Sequence, residues 1–106
     1  MNFTMNATAK KAFELGCVES ATTFAQTCVK NAFPTFNFRE FTLTRFLPHN
    51  LYLEARSLNH QFVIKSVTVN KIKVWEVYCH RVSMGASPDK RVLLDYESLE
   101  FATYTN

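Results

Sequence analysis

The segment FVIKSVTVNKIKVWEVYCHRV, Phe62 to Val82, runs twenty-one residues without a glycine or a proline. Only Asn70-Lys71 offers turn chemistry inside it, because asparagine tolerates the left-handed backbone. A two-residue turn there sets Val69 against Ile72, Val67 against Val74, Lys65 against Glu76 and Val63 against Tyr78. Opposite charges then meet across the ladder, as a sound register requires. Phe62, Ile64, Trp75, Val77 and Cys79 fall on the opposite face. With apolar content on both faces, the segment predicts a central hairpin at about 62–82. Helices are expected on one side of it, and a smaller cluster or a partner on the other.

Upstream of Pro34 the apolar spacing is helical rather than alternating. On a wheel of about 100° per residue, Cys17, Val18, Ala21, Phe24, Ala25, Cys28, Val29 and Ala32 share one side. Glu19, Thr22, Thr23, Gln26, Thr27 and Lys30 share the other, which is an amphipathic pattern. Met5, Ala9, Ala12 and Phe13 form a second apolar face, displaced by roughly 140° on the same wheel. One straight helix would need burial on two sides. A break at Gly16, which suits the left-handed position ending a helix, removes the conflict, with Ser20 as the expected cap of the next helix. The segment 5–33 therefore reads as two helices in preference to one.

Pro34 resists continuation of the helix. FNFREFTLTRFL, from Phe36 to Leu47, follows with the phenylalanines and threonines that favour strands. Pro48-His49-Asn50 reads as a turn. The segment 51–58 reads as strand in preference to helix, and 91–104 as two strands with a bend near Glu97-Ser98. The fold class expected is α+β: one or two N-terminal helices, about 6–33, packed on an antiparallel sheet of four to six strands. A chain of 106 residues fits one domain, 1–106.

Composition closes several functional routes. With only Gly16 and Gly85, no glycine-rich phosphate cradle can be assembled, which removes the dinucleotide fingerprint and the P-loop together. The formal charge of +3 argues against imitation of nucleic acid and is too small to prove binding to it. Three cysteines with no Cys-x-x-Cys spacing predict reduced thiols and a cytoplasmic setting. The first sixteen residues lack the apolar stretch of a signal peptide, and no apolar run is long enough to cross a bilayer.

Cys79-His80 is the pair that most resembles a reaction centre. Adjacent strand side chains diverge, so this thiol and imidazole cannot act as nucleophile and base. His49, His60, His80 and the cysteines show no paired metal-ligand spacing, so neither metal nor cofactor is expected. Asp95, Glu97 and Glu100 read as a solvated acidic edge guarding a strand. The expectation is a small non-enzymatic protein that binds another macromolecule, a protein first of all. Self-association is compatible with it, and a membrane is not. By association rather than physics, such a chain suits an inhibitor of a host protein of the type carried by phages and mobile elements. The contact surface expected is the loop Ser83 to Lys90 with Arg81 and Arg91. The alternative is a single-stranded nucleic-acid or nucleotide binder using Lys65, Lys71, Lys73, Arg81 and Trp75, in which aromatic and basic side chains clamp a strand.

Overall fold

The computed structural model describes residues 12–37, 39–58, 60–81 and 89–102. Helix α1 (Val18–Ala32) precedes five strands: β1 (Thr42–Leu47), β2 (Tyr52–Ser57), β3 (His60–Val69), β4 (Ile72–Arg81) and β5 (Lys90–Asp95). A single 3₁₀ turn, Pro48–Asn50, joins β1 to β2. The strands lie in chain order β1-β2-β3-β4-β5 and every neighbouring pair is antiparallel. The fold is α+β, with a helical layer on a five-stranded meander.

Gly16 explains the break before α1. Residues 12–15 are helical, Gly16 has φ of 65°, and the Cys17 N–H bonds back to the Ala12 carbonyl at 3.2 Å. That six-to-one bond around a left-handed glycine is how a helix ends when its last carbonyls must be paired. The described residues thus show two helical segments meeting at Gly16, while 1–11 lie outside the description. Cys17, not Ser20, is the N-cap: its carbonyl accepts the Ala21 N–H at 2.9 Å, and Ser20 falls within the first turn. Thr22, Thr23 and Thr27 return their hydroxyls to the carbonyls of Val18, Glu19 and Thr23, which satisfies these groups on the polar side.

Ala21, Phe24, Ala25, Cys28, Val29 and Ala32 form the buried stripe of α1. Small side chains bring the helix close to the sheet, and Phe24 fills the space that remains. Across the sheet the stripe meets Leu53, Phe62, Ile64, Trp75, Val77, Leu94 and Leu99. Trp75 is the largest buried side chain. Phe13 and Tyr96 stack on its rings with centroids 5.4 and 5.1 Å away, Phe24 meets it edge-on at 4.9 Å, and its Nε1 donates to the Tyr96 carbonyl at 3.0 Å. Trp75 therefore belongs to the core, which corrects its expected role as a base-stacking platform.

The central hairpin holds the register read from its charges, including Lys65 opposite Glu76. Asn70 and Lys71 both take positive φ, at 51° and 68°, which matches the right-handed twist of the flanking strands. Two other segments depart from expectation. The strand predicted from Phe36 begins only at Thr42. Phe36 and Phe41 instead pack on Phe62, with centroids 5.1 and 6.2 Å away, and Glu40 at φ 53° interrupts extension. Phe38 lies outside the described residues. The segment 51–58 holds strand β2 from Tyr52 to Ser57, with Leu51 and Leu58 turning at positive φ on either side. Beyond β5 the expected bend is present, because Asp95 Oδ2 accepts the N–H groups of Glu97 and Ser98 at 3.1 and 2.9 Å. Among the described residues the second strand of that pair reduces to one bridge, Leu94 to Phe101.

Phe24→Ala should destabilise the protein by about 3–5 kcal/mol, because the small neighbours on α1 cannot close the cavity. Ile72→Ala, at an exposed position beyond α1's reach, should cost well under half of that. Urea unfolding of the two variants measures the contrast.

Candidate functional site

Helix α1 covers one face of the sheet. The second face is formed by alternate residues of each strand, and among the described residues no helix or strand packs on it. Its rows follow from the strand registers. One runs Leu47, Tyr52, Lys65, Glu76, Leu93; the next Arg45, Glu54, Val63, Tyr78, Arg91; then Arg56, Gln61, His80. Towards the β3–β4 turn lie Val67, Val69, Ile72 and Val74. Val74 is fully buried although it faces away from α1, and Ile72 is exposed. The outcome is an aliphatic strip flanked by charged rows.

Those charges are largely paired in place. Glu76 bridges Lys65, at 3.7 Å, and the Arg91 guanidinium. Its side chain is only 13% exposed, so both cations offset the loss of its hydration. Tyr52 donates its hydroxyl to Glu54, which raises the phenol's pKa, and Arg45 stands opposite Glu54 on β1. A third group closes the far end of the face. Asp89 accepts the Tyr78 hydroxyl, and its other oxygen lies 2.7 Å from Nδ1 of His80. The Tyr78 hydroxyl, followed by the His80 contact, holds the Asp89 carboxyl below the usual carboxylate range. The same bond raises Tyr78.

No family model matches the chain, and no curated protein or solved structure matches it.

The expected site residues divide among several places. Lys65 and Arg91 share the second face, both engaged by Glu76. Lys73 lies on the helix side, its Nζ 5.5 Å from the centre of the Tyr96 ring. Lys71 is exposed at the tip of the central hairpin. Lys90 is exposed at the start of β5, opposite Cys79. Trp75 is buried. Arg81 ends β4 opposite His60, and Ser83 lies outside the described residues. The basic residues therefore converge on no single stripe. Cys79 and His80 do diverge. The thiol packs against the core, where burial chiefly raises its pKa, while the imidazole joins Asp89 on the second face. The cluster of Tyr78, His80 and Asp89 was missed. Tyr78 and His80 stand two apart on one strand face, the one local signal available, and Asp89 lies nine residues beyond His80 in the sequence.

The three thiols occupy contrasting surroundings. Cys28 is buried in the helix stripe, which pushes its thiol far above the ordinary range. The Ser20 N–H, aided by the Ser20 hydroxyl, lowers the Cys17 thiol at the start of α1. Alkylation at neutral pH should modify Cys17 first, Cys79 more slowly, and Cys28 only on unfolding. Timed labelling followed by peptide mass mapping checks the order.

Asp89 also carries a pH dependence of defined sign. Its folded pKa lies below its unfolded value, so its contribution to stability is present above the unfolded value and is lost as pH falls through the folded one. Wild type should exceed Asp89→Asn in stability at neutral pH, and the gap should close in strong acid. Denaturant midpoints across an acid titration measure it.

Proposed function

We propose that this chain is a small, non-enzymatic binding protein that docks a protein partner on the second face of its sheet. The observation that carries this reading is the pairing of an aliphatic strip with charges already neutralised by their neighbours. Val63, Val67, Val69, Ile72 and Leu93 provide apolar area, while Glu76, Lys65 and Arg91 form a self-satisfied frame around it. A charge that keeps its partner costs less to bury in an interface than one that must find a new partner. Tyr52 and Tyr78 supply the amphipathic rings that protein interfaces favour.

The nucleic-acid reading has less support. Steep electrostatic binding to phosphates needs uncommitted cations on one surface. Here Lys65 and Arg91 share a carboxylate, Lys73 lies on the opposite face, and Trp75 is enclosed. No described helix is long and apolar enough to cross a membrane. A cytoplasmic protein acting as an inhibitor of a host protein fits this binding role.

The test is affinity capture with the full chain and two face variants, Ile72→Asp and Val63→Lys, after circular dichroism shows that both fold. Partners retained by wild type should be lost from both variants. Equal recovery by all three would overturn the reading. Oligonucleotide binding that weakens steeply with salt would replace it with the nucleic-acid alternative.

A further inference from the structure

The two edges of the sheet are treated differently. In the central hairpin the closing pair of the two-residue turn, Val69 and Ile72, exchanges hydrogen bonds, and bonding pairs then alternate along each strand. The backbones of Phe62, Ile64 and Ser66 consequently face β2, and the Ser66 N–H does bond to the Leu51 carbonyl at 3.1 Å. The same alternation carried outward turns Leu93 and Asp95 away from β4. The chain covers them itself: the Asp95 N–H bonds to the Glu100 carbonyl at 2.7 Å, and the Leu93 carbonyl accepts the Ala102 N–H at 2.9 Å.

On the other edge, Arg56, Glu54 and Tyr52 of β2 face Thr42, Arg45 and Leu47 of β1. The N–H and C=O groups of Leu43 and Phe46 therefore point outward, and among the described residues nothing in the chain bonds to them. Such an edge is a template for another strand. β1 carries neither proline nor lysine to blunt it, and Arg45 is its one charge.

The irregularity at Thr44 determines which strand fits. Between Leu43 and Arg45 the register shifts by one residue, so Leu43 and Phe46 both lie on the core side while Thr42, Arg45 and Leu47 lie on the second face. Read backwards, β1 shows the same order of faces. We propose that β1 pairs antiparallel with β1 of a second copy of this chain, about a two-fold axis between Thr44 and Arg45.

That register sets Leu43 against Phe46 of the partner and Thr42 against Leu47, each pair on a common face. It places the outward backbone groups of Leu43 and Phe46 opposite one another, so two reciprocal pairs form four hydrogen bonds. The span from Leu43 to Phe46 is contracted equally in both copies, so the bonded pairs stay aligned. Arg45 meets Thr44 of the partner rather than a second arginine. A shift of one residue either way puts core-side against solvent-side residues, which a half-buried sheet does not accept. The isologous contact would join two five-stranded sheets into one of ten. It uses the β1 edge and leaves the second face available.

The experiment is sedimentation equilibrium of the full chain from micromolar to millimolar concentration. Three variants accompany it: Thr44→Glu, Thr44→Arg and Ile72→Asp. Thr44 is exposed, so its substitution should leave the fold intact. A monomer–dimer equilibrium is expected. Thr44→Glu should tighten it several-fold by facing Arg45 of the partner, Thr44→Arg should weaken it several-fold, and Ile72→Asp should leave it unchanged. The amides of Leu43 and Phe46 should gain protection from hydrogen exchange as concentration rises. A monomer throughout the range would overturn the proposal. So would a dimer in which the two Thr44 variants do not move in opposite directions, or one that Ile72→Asp dissociates. A monomer throughout the range leaves capture of a partner by the second face untouched, whereas a dimer that Ile72→Asp dissociates would move self-association from the β1 edge to that face.

Discussion

The buried indole of Trp75 is the contact on which the rest of the architecture depends. Three aromatic rings from separate parts of the chain converge on it: Phe13 before α1, Phe24 within α1, and Tyr96 in the turn after β5. Its one polar atom is satisfied by a backbone carbonyl of that turn. A large side chain with a single donor can be enclosed at little cost only under that condition. The same residue thus fixes the seating of the helix, the strand that bears it and the course of the chain past the last strand. A smaller companion group closes the other end of the core, where Phe33, Phe36 and Phe41 gather on Phe62.

Helix α1, fifteen residues long, covers one side of the five strands, and among the described residues no helix or strand packs on the other. The side it leaves has been made tolerable in water by alternating cations and carboxylates along cross-strand rows. Pairing across neighbouring strands, as in Lys65–Glu76–Arg91, holds the registers of three strands at once while keeping the surface soluble. The aliphatic residues between these pairs are what the proposal of a contact surface on this side rests on.

Much of this was legible without coordinates. The α1 stripe from Ala21 to Ala32 follows from spacing alone, although Val18, expected on the same side, is exposed at the helix start; the break follows from Gly16, and the hairpin register follows from the only turn-competent pair in twenty-one residues. Local rules failed where tertiary contacts chose the outcome. The phenylalanines after Pro34 have strand propensity, yet Phe36 leaves the strand to fill a gap beside Phe62, as packing overrides intrinsic preference. Ser20 is a good cap by type, but Cys17 already occupied the role once Gly16 had ended the preceding turn. Trp75 looked like a platform because aromatic and basic residues were interleaved, whereas its alternation with Val77 and Cys79 already placed it on the covered side. The Tyr78, His80 and Asp89 cluster joins residues nine to eleven positions apart in the sequence, and no periodicity reports such a meeting.

The order of the strands has a consequence for the newborn chain. Neighbours in sequence are neighbours in the sheet, so each hairpin can form as soon as it leaves the ribosome. The helix is different: it emerges before the strands, and its apolar stripe lacks its largest partner until Trp75 is made, forty-three residues after Ala32. At translation rates of roughly 5–20 residues per second, that wait lasts about 2–9 s. Alanine supplies three of the six stripe residues, beside one cysteine, one phenylalanine and one valine, and so limits how adhesive the waiting helix is.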